Sequence, residues 1–142
     1  MKVVLDTNVL VSGLMRASTP PGRLIDFVRA GSLVPVVDDR ILDEYSEVLH
    51  RPELQAYFTS ADVESILDFM RRDADHVTCE TVTRALPDPD DTPFLEVALA
   101  ARAVLITGNA RHFPVAQRAN CLVLTPREFL GAYLGEGEGP SP

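Results

Sequence analysis

This sequence predicts an α/β domain of three layers, with helices on both faces of a mostly parallel central sheet. Three observations carry that expectation. Short apolar runs that read as buried strands alternate with amphipathic stretches that read as helices along nearly the whole chain. The first run, Lys2-Val3-Val4-Leu5, stops abruptly at Asp6, and strands of a parallel sheet open at their carboxyl ends onto the crevice where ligands sit. No internal repeat and no long linker divides the 142 residues, a length that suits one domain with a genuine core.

Taken in order, residues 3–5 form the first strand and residues 9–16 a helix, followed by a break at Ser18-Thr19-Pro20-Pro21-Gly22. A second helix over residues 23–30 ends at Gly31, a favoured residue past a helix end. Residues 33–37 read as a short strand whose Pro35 suggests an edge or irregular position. Asp38 or Asp39 caps the next helix, where Ile41, Leu42, Tyr45, Val48 and Leu49 form a helical stripe. Pro52 breaks that helix, and residues 54–58 suggest a further turn.

Ser60 is expected to cap a helix with Val63, Ile66, Leu67 and Met70 on one face. Residues 76–79 read as a strand and residues 81–89 as a loop. Thr92 and Pro93 read as cap and first residue of a helix reaching Arg102. Strands follow at 103–107 and 121–124. Thr125-Pro126-Arg127-Glu128 is a capping box with proline at the first helical position, and it opens a last helix to about residue 134. The domain is therefore expected over residues 1–134, with the Gly/Glu/Pro tail at 135–142 disordered.

Composition narrows the function classes. Hydrophobic residues make up 46% and charged residues 24%, ordinary globular usage. Cys79 and Cys121 lie far apart and form no CxxC pair, which suits buried thiols in a reducing cytosol rather than a disulfide or zinc site. The N-terminal apolar run is too interrupted for a signal peptide, and the stretch around 94–106 is broken by Glu96 and Arg102, so neither export nor a membrane span is expected. The net charge of −8 argues against a broad basic face for nucleic acid, and Lys2 is the only lysine. Acids gathered in one pocket would turn part of that charge into a metal site.

Four separated segments offer oxygen ligands at element ends. They are Asp6-Thr7-Asn8, then Asp43-Glu44-Tyr45, then Asp88-Pro89-Asp90-Asp91-Thr92, and finally Thr107-Gly108-Asn109. Magnesium and manganese prefer oxygen donors of this kind. Read from the residues alone, Asp6 could cap a helix, Glu44 could be a solvated helix acid, and Asn109 could be a turn residue. His112 reads as a packed loop residue rather than a base, and Glu47 as surface.

The whole pattern resembles the metal-dependent ribonucleases of the PIN-domain family, in particular the toxins of bacterial toxin–antitoxin pairs related to VapC. The residues that carry the resemblance are Val3-Val4-Leu5-Asp6-Thr7-Asn8-Val9-Leu10-Val11-Ser12, Leu42 to Pro52, Asp88 to Ala98, and Leu105-Ile106-Thr107-Gly108-Asn109 leading to Arg111-His112-Phe113-Pro114. The resemblance implies a PIN-like fold and catalytic, metal-binding roles for Asp6, Glu44 and Asp91, with Asp90 in reserve. It implies Asn109 as a fourth ligand and Thr7 and Thr107 as hydroxyls that orient ligands or water. The family often has an aspartate where Asn109 stands, so this site would carry three formal charges in place of four. A Mg²⁺ or Mn²⁺ cofactor, an RNA substrate cut to a 5′-phosphate and a 3′-hydroxyl, a cognate antitoxin, a possible homodimer and a cytoplasmic setting follow from the same resemblance.

Two rival readings fit parts of the same pattern. A haloacid-dehalogenase-like phosphatase needs a second aspartate where Asn8 stands and a lysine later in the fold, and this chain has neither. A degenerate PIN fold that binds protein or RNA without cutting is the alternative from another class, favoured by Asn109 and the acidic charge. Three convergent acids count against it, because without a cation they repel one another.

Overall fold

A computed structural model describes residues 1–79 and 86–135. Its strands are β1 (Lys2–Leu5), β2 (Val34–Val37), β3 (Asp75–His76), β4 (Val104–Ile106) and β5 (Val123–Leu124). Its helices are α1 (Thr7–Met15), α2 (Pro20–Arg29), α3 (Asp39–Leu49), α4 (Ser60–Asp73), α5 (Thr92–Ala101) and α6 (Pro126–Leu134). The five strands form one sheet in the order β3-β2-β1-β4-β5, and every pairing is parallel. With the helices flanking the sheet, this is the three-layer α/β/α fold.

The order matters more than the count. The chain runs outward from β1 to β3, then returns to β1's other side for β4 and β5. The strand order therefore reverses between β1 and β4, and a crevice opens there at the carboxyl ends of the strands. Asp6 follows β1 and Thr107 follows β4, and the Asp6 N–H donates to the Ile106 carbonyl at 2.9 Å. Val3, Val4, Leu105 and Ile106 are fully buried beneath them, as are Leu95 and Val97 of α5. α5 lies against β1, β2 and β4, and α3 packs on α1 and α4.

Several local readings need correction. Pro35 is not at the sheet edge, because β2 lies between β1 and β3. It is tolerated for another reason. The Val34 N–H bonds toward β1, to the Met1 carbonyl at 2.9 Å, so by strand alternation position 35 faces the β3 side. β3 pairs only from Val36 onward, so no ladder bond is lost. α2 starts at Pro20, with Thr19 as its cap, rather than at 23. Gly31, past its end, has φ +84°, a conformation that favours glycine.

Thr59, not Ser60, caps α4, in a reciprocal capping box with Asp62. Thr92 is already helical, and Asp91 occupies the cap position without a side-chain cap bond. The strand expected at 76–79 is the two-residue β3, and the turn expected at 54–58 begins as a 3-10 turn at Pro52–Leu54. The two cysteines are free but only half-buried. Most of the expected 81–89 loop and the tail beyond Gly135 lie outside the described residues.

Candidate active site

The cleft at the β1–β4 switch point is assembled from four elements. β1 delivers Asp6, which is only 5% exposed. Its Oδ2 accepts a hydrogen bond from Thr107 Oγ1 at 2.8 Å and a longer one from Asn8 Nδ2 at 3.4 Å. Asn8 also ties the two loops together, since its Oδ1 accepts from the Gly108 N–H at 3.0 Å. A Cβ at position 108 would lie 3.2 Å from that oxygen, a tight contact that would press on the Asn8 side chain.

α3 delivers Glu44. The next residue, Tyr45, is buried and donates its phenol hydrogen to the Leu5 carbonyl at 2.6 Å. That bond fastens α3 to the end of β1 and sets Glu44 beside Thr7, whose hydroxyl donates to Glu44 Oε2. Burial holds the Tyr45 phenol in its neutral form, well above its ordinary pKa.

The start of α5 delivers Asp91. Its Oδ2 is buried and takes no hydrogen bond, although His112 Nδ1 stands 3.1 Å away within ion-pair range. Asp88 lies alongside and caps the short turn before α5, its Oδ1 accepting from the Asp90 N–H at 2.9 Å.

Asp6, Thr7, Glu44, Asp88, Asp91 and His112 line one cavity of about 440 Å³. Val11, Val48 and Leu54 add apolar surface to its lining, together with the polar Ser12, Arg51 and Glu53. Asp90 is exposed and outside that lining. Asn109 and Thr107 also stand behind it, Asn109 reaching the cleft through His112 at 2.9 Å. Sequence reading missed the place of His112, which a 3-10 turn at Ala110–His112 swings to the cleft. The only signal was its position one such turn after Asn109. Arg51 was passed over as well, because its sequence context reads as an ordinary i, i+4 pair with Glu47.

The three acids share an electrostatic burden. Burial raises Asp91 to about 6, and the nearby Asp6 carboxylate adds to the shift. Burial also raises Asp6, against the lowering effect of the Thr107 hydrogen bond. Glu44 is raised by burial, offset by the Thr7 hydroxyl and reinforced by Asp6 and Asp90. Carboxyls raised by burial, with Asp6 adding to the shift at Asp91 and Glu44, mark a candidate functional site. Among the described residues, no three His, Cys, Asp or Glu side chains already stand close enough to grip one metal ion. The donor set nonetheless fits a hard cation: oxygen ligands, excess negative charge, and in Asp91 Oδ2 a buried oxygen without a hydrogen bond.

A family model described as PIN domain matches residues 2–111. The chain belongs to the PIN-domain family. PIN domains are in general nucleases, hydrolases acting on nucleic acids. Among curated proteins, this PIN-domain chain is similar to the uncharacterized protein MJ1680 of Methanocaldococcus jannaschii, at 27% identity over 94% of this chain and 92% of that one. In fold it is similar to a chain of the crystal structure of VapBC2 from Rickettsia felis bound to a DNA fragment from their promoter. That match has a TM-score of 0.57 at 13% identity, covering 88% of this chain and 98% of the other. No helix among the described residues is long and apolar enough to cross a membrane.

Proposed function

We propose that this PIN domain is a Mg²⁺- or Mn²⁺-dependent ribonuclease that hydrolyses RNA phosphodiester bonds, acting in the cytoplasm as the toxin of a toxin–antitoxin pair. The observation that carries the reading is the convergence of Asp6, Glu44 and Asp91 on one cleft at the strand-order switch, with no arginine or lysine bonded to them among the described residues. Those three carboxylates would hold the ion. When bound, it supplies activation of a water and neutralisation of charge on the phosphate.

The chain's own contribution is orientation. Thr107 fixes Asp6, Thr7 fixes Glu44, and Asn8 keeps the two loops at a set spacing. Outer hydroxyls and amides of this kind decide which carboxylate oxygens face inward. Val11, Val48 and Leu54 give a substrate apolar surface to lie against. Attack of water on phosphorus, with the 3′-oxygen leaving, would yield a 5′-phosphate and a 3′-hydroxyl. The fold shared with the VapBC2 chain supports a partner protein as antitoxin, and pairing of two copies is part of the same reading.

The test is cleavage of a panel of single-stranded RNAs with Mg²⁺, Mn²⁺ or EDTA. Wild type is expected to cut only with the ion. Asp6→Asn, nearly isosteric, keeps the fold and loses at least about a hundredfold in rate. Expression of wild type is expected to arrest bacterial growth, and expression of Asp6→Asn is not. A specific observation favours one alternative: Asn109 replaces a charge, and the acids are not pre-gathered around one point. If wild type is inert on every RNA with both ions, the protein is instead a binding module for RNA or protein.

A further inference from the structure

The carboxamide of Asn109 and the imidazole of His112 form one unit, of which His112 lines the cleft and Asn109 stands behind it. The 3-10 turn closes through the His112 N–H, which donates to the Asn109 carbonyl at 3.0 Å. It brings both side chains to the same side, with Asn109 Nδ2 2.9 Å from His112 Nε2. With the amide nitrogen facing the ring, as here, it donates, Nε2 accepts, and the neutral ring's proton sits on Nδ1. Nδ1 is the atom 3.1 Å from Asp91 Oδ2. The N–H does not line up with that oxygen well enough to form a hydrogen bond. The contact therefore sets the ring against the carboxylate while leaving its lone pairs free.

The geometry points to Asn109 and His112 as a positioning pair: the carboxamide locks the imidazole tautomer, and the imidazole holds Asp91 ready for a divalent ion. An aspartate at 109 could not make this lock, since it has no hydrogen to give Nε2. Asparagine at 109 is in this sense the residue that His112 requires, rather than a ligand lost. The second half of the inference rests on the metal-dependent reading above, and the tautomer lock does not.

The two halves are tested separately. Long-range ¹H–¹⁵N NMR on metal-free protein, at a pH where the ring is neutral, reads which nitrogen carries the proton; the signal is assigned by its loss in His112→Asn. Wild type is expected to show the Nδ1–H form, and Asn109→Ala to revert toward the Nε2–H form that an unrestrained imidazole favours. An Nε2–H ring in wild type overturns the lock.

The holding role is read by Mn²⁺ titration followed by melting temperature, with circular dichroism confirming that each variant is folded. His112→Ala is expected to weaken Mn²⁺ binding about tenfold. His112→Asn, whose amide can stand near the place of Nδ1, is expected to restore most of it. Equal Mn²⁺ binding by wild type and His112→Ala overturns the holding role. A wild type that responds to no Mn²⁺ concentration overturns the metal reading of the cleft together with that role, while the NMR result still decides the lock.

Discussion

Among the described residues, carboxylates are wholly or partly buried in two regions, and only one of them is bonded to an arginine. Near the start of α3, Arg40 forks onto Asp38 Oδ2 through Nε at 2.9 Å and Nη2 at 2.8 Å, and reaches Glu96 Oε1 through Nη1 at 2.6 Å. Asp38 also caps α3 by accepting from the Ile41 N–H at 3.0 Å. Glu96 sits inside α5, its side chain 1% exposed. This is a structural knot: the planar guanidinium satisfies two carboxylates and clamps α3 against α5. In the cleft, Asp6, Glu44 and Asp91 have hydroxyls, an amide and His112 around them, while Arg51 is taken up by Glu47 at 2.9 Å. One sequence thus treats its acids in two ways: both groups line cavities, and the one at the strand-order switch has no arginine or lysine bonded to it among the described residues. The deficit identifies a place for a cation better than the acids do by themselves.

The largest effect expected from this contrast is on the knot. Arg40→Met keeps the stem and removes the charge, leaving Glu96 buried without that guanidinium, and is expected to cost about 3 kcal/mol. Urea unfolding measures it, and the Mn²⁺ response should be unchanged. A loss below about 1 kcal/mol would erase the distinction between the two regions.

Next comes the ion itself. At a Mn²⁺ concentration 100 times its dissociation constant, the folded protein is expected to gain about 2.7 kcal/mol over an EDTA control. A cleft that is only an acidic surface would give no saturable shift in the melting scan.

The smallest effect is the pH dependence of the metal-free protein. Burial raises Asp91 from its ordinary 3.8 to about 6, and Asp6 and Glu44 are raised too. A carboxyl with a raised folded-state pKa binds its proton more tightly when folded. Its stabilising contribution is complete below about pH 4 and is lost as pH rises through about 6. Metal-free protein is therefore expected to lose stability across that window. Asp91→Asn should flatten the loss and gain roughly 1 kcal/mol at pH 7, after allowing for solvent screening. A pH profile identical in wild type and variant would show that the cleft carries no such strain.

Much of this was legible in the residues. The alternation of apolar runs and helical stripes foretold the layers, and Asp6 and Asp91 stood out as acids at element ends, while Glu44, in the middle of α3, was singled out by the family resemblance. Their approach to one another was not written locally. It depends on Tyr45 reaching Leu5 and on β4 settling beside β1, contacts between residues far apart in the chain. Cap positions slipped by one residue at Thr59 and Asp91 for a related reason. Apolar periodicity marks where a buried face begins, whereas the cap is set by which oxygen meets which N–H. His112 was misread because its partners, Asn109 and Asp91, meet it through a 3-10 turn and across space. Pro35 was misread because its tolerance depends on how short β3 is.

The bond from Thr107 to Asp6 joins residues 101 apart, and β1 cannot gain β4 as a neighbour until Val104–Ile106 exist. During synthesis, at about 5–20 residues per second, Asp6 therefore waits several seconds for the hydroxyl that orients it. Glu44 and Asp91 emerge before that partner as well. A nascent chain therefore carries all three acids before the crevice that gathers them, and the cleft exists only once nearly the whole domain has been translated.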